Sequence, residues 1–337
     1  MVDPELPLID LHRHLDGNVR PATIFDLAVQ HDLPLKGSTV NEVAHRVQIQ
    51  DKTSDLLAFI GKLEHGMSVL ADADACRRIG FENVEDAYRE GLDYCELRFS
   101  PVFMASAFSL SLDDVIDAVI DGVSAGTKAY PVDVNLIGIL SRTYGPARCN
   151  EELDALLRRR DALVAIDLAG DEAGFPGDLF ITHFRRVRDA GLGVTVHAGE
   201  ADGPASIWQA INVLGANRIG HGVAAIQDPA LMEQIAQRQI GIETCLTSNY
   251  QTGAFTDTTN HPITSFLSAG MPVTLNTDDP GISAITLKSE FTVAHTVCGL
   301  TPRQLRQCQT NSLDQAFLSD AGKTRLRQQR SASTRKL

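Results

Sequence analysis

Gly193-Val194-Thr195-Val196-His197-Ala198-Gly199-Glu200 is a short apolar segment that stops on small and polar residues, the reading of a strand that delivers its last side chains to a loop. Seven other segments end the same way: 7–12, 93–100, 133–140, 163–170, 218–222, 241–249 and 271–279. Between most of them apolar residues recur at three- and four-residue steps, as in Leu112, Val115, Ile116, Val119, Ile120 and Val123, or Ile207, Ile211 and Leu214, which is helical periodicity. Eight alternations of strand and helix predict parallel βα units closed into a (β/α)8 TIM barrel. The rival, a doubly wound open sheet, calls for a glycine-rich phosphate turn after an early strand, and neither GxGxxG nor GxxxxGK[ST] occurs.

The 337 residues exceed the roughly 250 that such a barrel takes. Most of the excess falls between the first and second strands, about 80 positions apart, too far for one helical crossover. Helix-like stretches at about 21–30, 54–70 and 74–90 predict a helical insertion over 13–92, above the mouth of the barrel. We expect one domain over 1–318, and over 319–337 a polar, basic tail, frayed or disordered, read as a frayed final helix with a disordered end and carrying Lys323, Arg325, Arg327, Arg330, Arg335 and Lys336.

Composition narrows the function classes. Hydrophobic residues make up 43% and charged residues 22%, with mean hydropathy −0.07, the profile of a folded water-soluble protein. A net charge of −13 disfavours nucleic acid and anionic membrane as partners. The N-terminus carries Asp3 and Glu5 where a targeting peptide would be basic, and no run is long enough to span a bilayer. Six cysteines without a CxxC pair read as reduced thiols of a cytoplasmic protein.

Metal-competent side chains gather at the strand ends: His12 and His14 at the first, His197 and Glu200 at the fifth, His221 at the sixth, Asp278 and Asp279 at the eighth. In a barrel those ends converge on one face, where active sites of this fold are built. His12 and His14, two apart in extended chain, point to the same side about 7 Å apart. A lone histidine is ordinarily a packed or surface residue, the reading given to His31, His45, His65, His183, His261 and His295. The His-x-His pair with a third histidine and an Asp-Asp pair reads instead as a catalytic metal site, and three imidazoles with one carboxylate suit Zn2+. The fourth strand ends in Gly170 with no lysine near its tip to bridge a second ion, so one metal per chain is expected.

These residues carry a family resemblance. His12-Arg13-His14-Leu15-Asp16-Gly17, Glu96-Leu97-Arg98-Phe99-Ser100-Pro101, Asp167-Leu168-Ala169-Gly170-Asp171-Glu172, His197-Ala198-Gly199-Glu200, Gly220-His221-Gly222, Cys245-Leu246-Thr247-Ser248-Asn249 and Asn276-Thr277-Asp278-Asp279-Pro280 together resemble the adenosine deaminase family, in order, over about 7–318. The match is closest to bacterial members and has no departure at the catalytic positions.

The resemblance implies that His12, His14, His197 and Asp278 hold Zn2+, which supplies hydroxide at neutral pH. It implies that His221 orients and deprotonates the water, and that Glu200, kept protonated by a dry pocket, delivers a proton to purine N1. The remaining implied contacts are Asp279 at N7, the Gly170 N–H at N3 and Asp16 at the ribose 5′-hydroxyl, with His14 also lining the substrate site. A carboxylate at 16 admits a nucleoside hydroxyl and repels a phosphate. Adenine-specific relatives carry Glu after His-Leu and Ser before Asp-Asp, whereas Asp16 and Thr277 stand here. The expected function is hydrolytic deamination of adenosine and 2′-deoxyadenosine, with a deaminase of adenine or of a modified adenine nucleoside as the alternative. A binding module on a dead barrel would show damaged ligands, and the set is complete. Cytosine and nucleic-acid deaminases use a different kit with a PCxxC helix, absent here. The sequence leaves the oligomeric state open.

Overall fold

A computed structural model of the chain describes residues 2–35 and 37–334. Eight strands, β1 (Ile9–His14), β2 (Tyr94–Phe99), β3 (Asp133–Ser141), β4 (Leu163–Ala169), β5 (Gly193–Ala198), β6 (Arg218–His221), β7 (Gly241–Thr244) and β8 (Val273–Leu275), form one sheet in sequential order. Every pairing is parallel. The ring is drawn shut just beyond β8, where the Asp278 N–H donates to the His12 carbonyl (2.8 Å) and the His14 N–H donates to the Asp278 carbonyl (2.7 Å). A (β/α)8 barrel is therefore the fold, and its closure runs through three residues of the predicted metal site.

Alternation along the strands separates two environments. On β2, Cys95, Leu97 and Phe99 pack outward into the aliphatic shell under the helices. Glu96 and Arg98 are also fully buried, and they bond across the barrel lumen: Arg98 donates to Asp167 on β4 (2.9 Å) and to Glu243 on β7 (2.9 Å), while Arg218 on β6 pairs with Glu96 and Glu243. The lumen below the mouth is thus filled by paired ions, an expensive way to fill a core unless each charge is matched.

The β1–β2 connection holds four helices, α1 (Pro21–Gln30), α2 (Val40–Val47), α3 (Leu56–Met67) and α4 (Ala73–Glu90). Three coincide with the predicted stretches; α2, eight residues long, was not among them. The expectation that all of 13–92 lies over the mouth needs one correction. α4 lies against the helix Leu112–Ala129, with Arg77 paired to Asp121 and the Tyr130 hydroxyl donating to Glu85 (2.6 Å), so it is the outer-ring helix that a βα unit requires. The insertion proper comprises α1 to α3.

The expected final helix of the tail packs against the barrel. Residues Asp320–Thr334 form a helix. Leu326 is buried with Ile9, Leu11, Tyr94, Leu313 and Ala316 at the N-terminal end of the barrel, and the basic residues find acids or carbonyls there: Arg325 with Asp133 (2.7 Å), Arg330 with the Pro4 carbonyl (3.0 Å). One apolar residue among charges gave little sequence signal, yet it plugs the barrel floor. Arg335 and Lys336 lie outside the described residues. No helix among the described residues is long and apolar enough to cross a membrane.

Candidate active site

His12 and His14 close β1, His197 lies next to the end of β5, and Asp278 follows β8. Their ligand-type atoms lie within 4.8 Å of one another. His12 Nε2 is 3.1 Å from His197 Nε2 and 3.1 Å from Asp278 Oδ1; His14 Nε2 is 3.3 Å from each of the same two atoms. A tetrahedral cation about 2.0–2.2 Å from its ligands would set those atoms about 3.3–3.6 Å apart.

Each imidazole is turned toward this centre by a carboxylate on its far nitrogen: His12 Nδ1 meets Glu243 Oε2 (2.7 Å), His197 Nδ1 meets Asp167 Oδ2 (3.0 Å) and His14 Nδ1 faces Asp16 Oδ1 (3.4 Å). A proton held on Nδ1 leaves a bare lone pair on Nε2. Three imidazole nitrogens and a carboxylate oxygen are aimed at one point, and although burial opposes it, Asp279, Asp16 and Asp278 push the His14 ring up to about 9, so the centre draws positive charge. The donor set fits a metal ion. Burial alone would push Asp167 and Glu243 up, but His197 and Arg98 hold Asp167, and Arg98 and Arg218 hold Glu243, well below the usual carboxylate range. The ion pairs of the lumen therefore keep the orienting acids charged.

His221 and Asp278 both stand at φ 64°, a left-handed conformation that residues other than glycine adopt at a cost and that collects at functional sites. His221 Nε2 lies 3.5 Å from Glu200 Oε2 and 4.0 Å from Asp278 Oδ2. The Ser248 hydroxyl donates to Asp278 Oδ2 (2.6 Å).

Glu200 reaches the pocket from a loop held by another acid. The buried Glu172 carboxylate accepts the N–H groups of Gly199 (2.6 Å), Glu200 (3.0 Å), Ala201 (2.7 Å) and Asp202 (3.2 Å). Burial first, and then the charges of Asp278 and Glu172, push the Glu200 carboxyl up to about 8, and its Oε1 is buried without a partner. Such a group is a neutral acid at pH 7 with a proton to give.

The cavity beside these groups measures about 300 Å³ and is lined by His14, Asp16, Gly170, His197, Glu200, His221, Asp278 and Asp279, with Leu56, Phe59, Ile60 and Leu63 of α3 on its outer side. His12 lies beneath it, fully buried. Asp16 Oδ2 accepts the Ser100 N–H (3.0 Å). Asp279 Oδ1 is buried and unpartnered, and burial together with Asp278 pushes its carboxyl well above the usual range. Two glycines make the room: a Cβ on Gly17 would fall 1.5 Å from Asp279 Oδ1, and Gly170, at φ 109°, would collide with Thr143 Oγ1 at 2.5 Å. Thr277 does not line the cavity; its hydroxyl donates to Asp10 Oδ2 (2.6 Å) and ties β8 to β1.

The sequence assigned no task to Glu243, Arg218 or His261, and none to Asp167, Arg98, Glu172, Ser248 or Asn249 although it quoted them. A charged residue inside an apolar strand, as Glu96, Arg98 and Glu243 are, was the available signal for the lumen network.

A parallel barrel with three histidines and an aspartate converging at its mouth, beside a buried acid, has the architecture of a metal-assisted hydrolase. Residues 7–332 match the family model described as Adenosine deaminase. An adenosine deaminase of Escherichia coli O1:K1 / APEC is 53% identical over 328 residues, 97% of this chain and 98% of that protein; one from Klebsiella pneumoniae (strain 342) is 54% identical over 326 residues, with the same coverage. Among solved structures, an adenine deaminase from Arthrobacter aurescens superposes with TM-score 0.90 at 25% identity over 98% of this chain and 99% of that one. An N6-methyl-AMP deaminase from Arabidopsis thaliana gives 0.83 at 26% over 99% and 98%. This chain belongs to the adenosine deaminase family.

Proposed function

We propose that the protein hydrolyses adenosine and 2′-deoxyadenosine to inosine and 2′-deoxyinosine with release of ammonia, using one Zn2+ per chain, in the cytoplasm as part of purine salvage. The observation that carries this reading is the pairing of the His12, His14, His197 and Asp278 cluster with a buried, proton-bearing Glu200 at the same cavity. A zinc ion held by those four residues would lower the pKa of a water and so supply hydroxide at neutral pH. The neighbouring group of ligand-type atoms, His221, Cys245 and Asp278, shares Asp278 with the first cluster, so the two draw on one carboxylate.

The chain's own residues divide the remaining work. Glu200 gives its proton to purine N1, which makes C6 electrophilic as oxygen adds there, and ammonia then leaves. His221 holds the attacking oxygen on the side facing Asp278. Asp279, protonated by its surroundings, donates to N7, and the Gly170 N–H approaches N3 from a position where a side chain would obstruct the ring. Asp16 accepts the ribose 5′-hydroxyl and also orients His14, linking substrate recognition to the metal ligand. The apolar face of α3 covers the ring and excludes water.

Incubating metal-replete protein with adenosine should release ammonia in equal amount to the adenosine lost, followed by the change from adenosine to inosine absorbance; no change would sink the reading.

A further inference from the structure

Three hydrogen bonds on the far side of His221 determine where that ring carries its proton. The first of them starts at Ile263, the first residue of the helix Ile263–Ser268, whose N–H has no acceptor within the helix. It donates instead to His261 Nδ1 (3.2 Å). A backbone amide can only donate, so His261 Nδ1 is bare and the proton of the neutral ring is on Nε2. Burial pushes the His261 ring down to about 3, so it stays neutral.

His261 Nε2 faces Asn249 Oδ1 (3.2 Å), and the N–H there requires an oxygen opposite. The Asn249 amide is thereby oriented, and its Nδ2 donates to His221 Nδ1 (2.9 Å). The reverse orientation would set the amide N–H against the His261 N–H. With Nδ1 of His221 occupied as an acceptor, the proton of its neutral ring lies on Nε2, the atom nearest Glu200 and Asp278. His221, Asn249 and His261 are 1%, 0% and 3% exposed, so solvent offers none of them a competing partner.

We propose that His261 and Asn249 are positioning residues that lock His221 in the tautomer with its proton on Nε2, so that His221 meets the reacting oxygen as a hydrogen-bond donor. This rests on the deaminase reading for its consequence in turnover, though not for the position of the proton. A donor fixed there holds the hydroxide through a lone pair and so fixes its position and direction of attack on C6, and it cannot remove the proton of the attacking water. The resemblance assigns His221 both orientation and deprotonation; the lock retains the first and withdraws the second.

The test uses full-length, zinc-loaded protein with 15N-labelled histidine. Long-range 1H–15N correlations should place the His221 proton on Nε2 and leave Nδ1 bare, the signals being identified by their loss in His221→Asn. In Asn249→Asp the carboxylate can only accept, so the proton should move to His221 Nδ1 and kcat should fall by about 10²–10³, with KM changed less than about threefold and zinc content intact. His261→Ala should lose activity similarly, and His261→Gln, which keeps an N–H for Asn249, should restore most of it. If His261→Ala fails to fold, the wild-type spectrum and Asn249→Asp decide. A proton on His221 Nδ1 in the wild type, or an Asn249→Asp protein with unmoved proton and unchanged kcat, would overturn the lock. Absence of turnover by the wild type would instead count against the deaminase reading, and the spectra would still report the tautomer.

Discussion

Glu200 has to be an acid when substrate binds, and the structure supplies the reason: it is buried and faces the charges of Asp278 and Glu172. Glu200→Gln should retain zinc and lose kcat by about 10²–10⁴, the range of a positioned general acid; near-normal turnover would contradict the assignment. The same carboxyl makes a signed contribution to stability. Between its ordinary value near 4.5 and its folded value of about 8, the folded state holds a proton that the unfolded state has lost, so stability falls as pH rises through that window. Glutamine has nothing to lose there, so the melting temperature of Glu200→Gln relative to wild type should be higher at pH 8 than at pH 5. Asp16 combines two contacts, the 5′-hydroxyl and His14 Nδ1. Asp16→Ala, assayed with excess zinc, should lower kcat/KM for adenosine more than for adenine. At this scale the ligands were legible because His12 and His14 share a strand face and the other ligands recur at strand ends. Their orienting partners were not, because Glu243 and Asp167 are single acids whose meaning comes only from what stands across the lumen.

At the scale of elements, apolar runs located all eight strands but misjudged where some end. β7 stops at Thr244, and the predicted continuation to 249 belongs to the helix Leu246–Gln251, since a short apolar run does not distinguish strand from buried helix. That error mattered, because the helix is what carries Ser248 to Asp278 and Asn249 to His221. The C-terminal helix Asp320–Thr334 reads only as a frayed one for a different reason: its charged surface hides a single buried contact, Leu326. Leu326→Ala should destabilise the fold by about 2–5 kcal/mol by denaturant unfolding, without altering kcat/KM, since it packs at the end of the barrel away from the site. A stability within error of wild type would mean that the helix contributes nothing to the floor.

For the whole molecule, the barrel places two charged systems end to end: a lumen of paired arginines and acids, and above it a cluster of imidazoles and a carboxylate that could hold a cation. A metal ion held by residues that only the fold brings together would bind the folded state alone, so chelation should lower the melting temperature and added zinc should restore it, in proportion to the logarithm of free metal. On the proposed function this cluster serves a nucleoside, with Asp16 reading the ribose. The most direct measurement is kcat/KM for adenosine and for adenine on one preparation whose zinc has been counted. One zinc per chain and a preference for adenosine of at least about 100-fold are expected, because a substrate without the hydroxyl leaves the buried Asp16 carboxylate unpaired. Equal values for the two, or a preference for adenine, would contradict the proposed function.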